Sequence, residues 1–102
     1  MCKKSVIIKE PGKVPRHVHI STSLENLQKI VGGYIETVTM AKDFTIICNE
    51  DGRICGLPYN CNIAGADFFG TIIMIGIDGD DFCHCPITFS SAKKLFPDLW
   101  ND

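Results

Sequence analysis

The chain predicts an α+β fold: a small antiparallel β-sheet with one main helix, over about 23–31, on one face, and a short C-terminal helix. Three observations carry that expectation. Short runs of β-branched and apolar residues alternate with polar ones between Gly-, Pro-, Asn- and Asp-rich breaks. Only the segment after Thr22 sets apolar residues at helical spacing over several turns. The order of these elements fits an antiparallel sheet covered on one face.

Ser5–Glu10 reads as the first strand, Pro11, Gly12 and Pro15 as its turn, and Arg16–Ile20 as the returning strand of a hairpin. His17 and His19, two apart, share one face of that strand. Thr22 and Glu25 stand at capping-box spacing, and Leu24, Leu27, Ile30 and Val31 form one apolar stripe. Gly32 and Gly33 end the helix, one of them in a left-handed cap. Tyr34–Met40 and Phe44–Cys48 read as strands, and Asn49–Gly52 as a hairpin turn returning through Arg53–Cys55. Gly56–Pro58 breaks the ladder, and Tyr59–Asp67 reads as loop or a short helical turn. Phe69–Ile77 is the most apolar strand, Asp78–Asp81 a sharp turn, and Ser90–Leu95 a short helix ended by Pro97.

A chain of 102 residues, with 45% hydrophobic and 22% charged residues, makes a single domain over 1–102 with room for one core. The formal net charge of −2 lacks the basic face that general nucleic-acid binding needs. No run approaches the ~20 apolar residues of a membrane span, and the N-terminus lacks the long apolar core of a signal peptide. The expected location is therefore the cytoplasm. Six cysteines with no Cys-x-x-Cys pair read as free thiols in a reducing compartment, several of them buried.

Cys83-His84-Cys85 is the sharpest chemical cluster, yet a strand through it sends the two thiols to one face and the imidazole to the other. A zinc site would need further donors from Cys2, Cys61, His17 or His19, so no metal and no cofactor are expected. No cysteine sits at a strand-to-helix elbow or a helix N-terminus, and the chain reads as a non-enzyme. Asp78, Asp80 and Asp81 lack the frame of a calcium loop. The Gly32-Gly33 pair closes a helix rather than opening one, so it offers carbonyls where a phosphate needs N–H groups.

Two glycine-hinged segments remain, 31–36 and 48–60. Tyr34, Glu36, Asn49, Gly52, Gly56, Tyr59 and Asn60, with Asn62 beside them, supply aromatic faces, amides and turn N–H groups of the kind that line small-molecule pockets. Read singly, each also has an ordinary turn or strand role.

These segments also carry a resemblance. Glu10-Pro-Gly-Lys13, Leu24-Glu-Asn-Leu-Gln28, Val31-Gly-Gly-Tyr-Ile-Glu36, Cys48-Asn-Glu-Asp-Gly52, Gly56-Leu-Pro-Tyr-Asn60, Gly65 and Gly70, and Asp80-Asp-Phe82 occur in that order. From about Ser5 to Phe82 the chain resembles a family of short phage, plasmid and conjugative-element proteins known only as a domain of unknown function. Cys83-His-Cys-Pro86 falls outside the resemblance. Such proteins often blunt bacterial defence, which implies a binding protein that sequesters a nucleotide-derived signal. An inhibitor of a defence nuclease, such as an anti-CRISPR, is the alternative, and a zinc-binding module the third reading. Sequestration implies Tyr34 or Tyr59 stacked on a base; an inhibitor implies an exposed apolar or acidic patch without an enclosed pocket. Open sheet edges make a homo-oligomer an expectation in either case.

Overall fold

The computed structural model describes residues 3–100. β1 (Lys3–Lys9) and β2 (Arg16–Ser21) form the N-terminal hairpin, and α1 (Leu24–Val31) follows. β3 (Ile35–Ala41) and β4 (Phe44–Asn49) make a second hairpin, β5 (Tyr59–Ile63) and β6 (Ala66–Phe69) a third. β7 (Ile72–Asp78) and β8 (Asp81–Cys83) are joined by a tight turn, and α2 (Phe89–Leu95) leads into a 3₁₀ turn, Pro97–Trp100. Every strand pairing among them is antiparallel. The main sheet runs β2-β1-β7-β4-β3 with β8 against the end of β7, and β5-β6 is a separate two-stranded sheet. The fold is the expected α+β class.

Central position explains the composition of β4 and β7. Both are central and covered on each face, so nearly every side chain is buried and both faces read apolar. Ile47, Ile73 and Ile75 point to one face with Leu27 and Val31 of α1. Ile46, Ile72 and Met74 point to the other, under Cys61, Ile63 and Phe68 of the small sheet and Ala92 and Leu99 of the C-terminal segment. The main sheet is therefore covered on both faces, where the sequence predicts cover on one.

That difference has a definite origin. Tyr59–Asp67, read as loop or helical turn, is the β5-β6 hairpin. Cys61 and Ile63 are buried, separated by exposed Asn62 and preceded by half-buried Asn60, but asparagines are poor strand formers and hide the period. Ala64 and Gly65 both take positive φ, 52° and 86°, as a two-residue type I′ turn requires. Ala-Gly is a weak signature for that turn. Arg53–Cys55 does not return as a strand, because both edges of β4 are already taken by β3 and β7.

Smaller boundaries also differ. Ser23, not Thr22, caps α1, its hydroxyl accepting from Asn26 N–H at 3.2 Å. Leu24, in the first turn on the flank of the stripe, is exposed, while Leu27 and Val31 are buried. Gly32 supplies the left-handed cap at φ 80°. Phe69 closes β6 rather than opening β7, and Pro97 starts the 3₁₀ turn after α2 has ended. No described helix is long and apolar enough to cross a membrane.

Candidate functional site

The two glycine-hinged segments lie side by side. Asn49, at the end of β4, donates through Nδ2 to the Val31 carbonyl at 3.2 Å, across the C-terminus of α1. A β-carbon on Gly33 would stand 2.8 Å from that same Nδ2, so glycine is required for the close approach. Glu50 N–H then donates to the Tyr34 carbonyl at 2.8 Å. Beyond it the chain folds into a compact turn: Asp51 N–H reaches Asn49 Oδ1 at 2.8 Å, and Cys55 N–H reaches the Asp51 carbonyl at 2.7 Å. Gly52 packs this turn onto β6, where an added β-carbon would come within 2.7 Å of the Phe69 carbonyl.

Between the turn, β3 and β6 lies an open hollow of about 150 Å³. Val38, Cys48, Ala66 and Phe68 give it apolar walls; Glu36, Glu50, Asp67 and Arg53 stand around it. The Arg53 guanidinium lies 4.8 Å over the Phe69 ring and 3.8 Å from the Asp67 carboxylate. The cation–π contact and the ion pair tie the Arg53 side chain to β6. Asp67 also accepts from Asn62 Nδ2 at 2.9 Å and Tyr59 hydroxyl at 3.2 Å. The Asn62 amide foremost, with Tyr59 and Arg53, holds the Asp67 carboxyl below its ordinary range. Burial, reinforced by the Glu36 charge, pushes the Cys48 thiol up to about 11. That direction favours the protonated thiol at neutral pH, and Cys48 contributes to the apolar wall of the hollow.

Of the residues singled out from sequence, Glu36, Asn49 and Gly52 line this hollow. Asn49 does so with its amide already committed to Val31 and Asp51, so its role is architectural. Tyr59 stands next to the hollow, its ring edge-on to Phe69 at 5.4 Å between centroids. Tyr34 is 70% exposed and is not among the lining residues. Gly56, at φ 73°, shapes the 50–57 turn from outside the hollow. Asn60 turns inward, its Nδ2 donating to the Lys9 carbonyl at 2.8 Å and the Gly70 carbonyl at 2.7 Å, which staples the small sheet to the large one. Arg53, Asp67 and Phe69 were not anticipated. The period-2 burial of Tyr59–Ile63 was the signal that would have placed β6, and with it two of these three, against β4.

The Cys83-His84-Cys85 cluster has a structural task. His84 Nδ1 accepts the Ser5 N–H at 2.8 Å, and Cys85 N–H donates to the Ser5 carbonyl at 2.8 Å, extending the sheet along β1. The Ser5 hydroxyl meets His17 Nε2, and Cys61 lies in the core beneath the small sheet. Among the described residues no three His, Cys, Asp or Glu side chains gather closely enough to hold a metal ion; Cys2 lies outside those residues.

A family profile described as Domain of unknown function (DUF3846) matches residues 3–96, from β1 through α2. The chain belongs to the DUF3846 family. The match runs past Phe82, so the Cys83-His84-Cys85 segment and α2 are part of the DUF3846 domain rather than an unrelated tail. Neither a curated protein nor a solved structure matches this DUF3846 chain.

Proposed function

We propose that this DUF3846 chain is a non-enzymatic binding protein that engages a basic segment of a host protein through the hollow between β3, β6 and the 50–57 turn. In the setting that the motif resemblance implies, its target is an effector of bacterial defence. The observation that carries this reading is an open, apolar-walled hollow ringed by three carboxylates and one guanidinium. A lysine or arginine side chain fits such a place, burying its aliphatic stem and leaving its charge among carboxylates. Beside it stands Tyr59, half-exposed against Phe69, a residue type that anchors protein interfaces.

Sequestration of a nucleotide-derived signal draws less support. Small-molecule sites enclose roughly 300–1,000 Å³, whereas this hollow holds about 150 Å³. Its ring of Glu36, Glu50 and Asp67 against Arg53 alone also opposes a phosphate.

Lysate from defence-activated cells, split by ultrafiltration into macromolecular and small-molecule fractions, separates the two readings. The expected result is a protein retained from the macromolecular fraction by the wild type and by Glu25→Lys on α1, and lost with Glu36→Lys. A nucleotide released on denaturation after exposure to the small-molecule fraction would overturn the protein-binding reading.

A further inference from the structure

The two edges of the main sheet are built differently. β2 is guarded at its start: Pro15 precedes it and exposed Arg16 opens it, a proline and a cation of the kind that discourage strand pairing. β3, at the other edge, carries one charged residue, Glu36, and no proline or lysine from Ile35 to Ala41. Its single irregularity falls between Thr39 and Ala41, leaving Ile35–Thr39 in unbroken register with β4. Glu50 N–H bonds the Tyr34 carbonyl, and hydrogen-bonded pairs alternate along an antiparallel ladder, so Ile35, Thr37 and Thr39 turn their N–H and C=O groups to the open side.

We infer that a second copy of this chain pairs antiparallel with β3, joining two sheets edge to edge about a two-fold axis at Thr37. That centre is the midpoint of the regular stretch. It sets Ile35 opposite Thr39 and Glu36 opposite Val38, so no two like charges face each other directly. An isologous pairing of this kind closes after two copies. Opposite residues in an antiparallel pair share a sheet face, so Glu36 of the second copy stands beside Val38, a wall of the hollow. The dimer thereby adds a carboxylate to each hollow; this consequence rests on the protein-binding reading, while the pairing itself stands on the edge geometry.

Light scattering on the eluting protein tests it, with Thr37→Pro and Thr37→Lys as edge variants. Thr37 faces away from the hollow and its N–H serves no intramolecular ladder bond, so proline removes only the outward donor. Circular dichroism checks that each variant keeps its fold, and the lysine variant covers the case in which proline does not. The expected result is twice the chain mass for the wild type and a halved mass for the folded variants. A wild-type monomer at every accessible concentration would overturn the pairing, as would a dimer that persists in the folded variants or an open-ended polymer of the β2-to-β3 kind. Dimer without retained host protein would fail only the functional reading.

Discussion

Asn49 and Gly33 share one small volume: the asparagine amide, on its way to the Val31 carbonyl, occupies the place where a β-carbon at Gly33 would project. The helix C-terminus, the start of β3 and the end of β4 are locked together at that point. Replacing Gly33 with Ala should displace the amide, and Asn49→Ala should strand the Val31 carbonyl and release the Asp51 N–H. Each should cost about 1–3 kcal/mol, read as a lower urea midpoint with an unchanged slope, and the double variant should cost less than the sum.

Ala64 is the one described non-glycine residue at positive φ. A left-handed alanine costs roughly 1–2 kcal/mol, which asparagine largely avoids. Ala64→Asn should therefore raise stability by about 0.5–1 kcal/mol. Thermal melts decide it, and a lower Tm would mean that the β5-β6 turn is not type I′.

Thr45 is fully buried in β4, and its hydroxyl has no hydrogen-bond partner among the described residues. Burying an unmatched hydroxyl costs on the order of 1–3 kcal/mol, so Thr45→Val should stabilise the fold by about 1 kcal/mol or more. A loss of stability in denaturant titration would show that the hydroxyl is satisfied.

Cys48 has a thiol pKa raised by burial, with Glu36 adding to it, to about 11 from an ordinary 9.0. The folded state holds this proton more tightly than the unfolded chain does. Its contribution to stability is complete below pH 9 and is lost as pH rises through about 11. Alkylation followed by peptide mass mapping should find exposed Cys55 modified first and Cys48 modified only at strongly alkaline pH. Glu36→Gln should bring the Cys48 reaction to lower pH; equal rates for the two thiols at pH 8 would contradict the burial.

Local chemistry made much of the main sheet readable. Val6–Ile8, Phe44–Cys48 and Ile72–Ile77 are apolar on both faces because the main sheet is covered on both, and the Gly32-Gly33 pair marks the end of α1, Gly32 proving to be the left-handed cap. The site was half legible. Glu36, Asn49 and Gly52, singled out from the glycine-hinged segments, line the hollow, but Asp67 and Phe69 reach it only through pairing of β5 with β6 over the sheet. Asn60 and Asn62 disguised that hairpin as a loop, since the amides that look like turn residues instead bond to Lys9, Gly70 and Asp67.

The most direct measurement is an amide-resolved NMR titration of the labelled chain, first with the macromolecular fraction of defence-activated lysate and then with the small-molecule filtrate. The expected result is perturbation gathered at Glu36, Gly52, Arg53 and Phe69 with the macromolecular fraction, and none with the filtrate. Perturbation of those amides by the filtrate, or a macromolecular footprint confined to the α1 face, would contradict a protein-binding hollow.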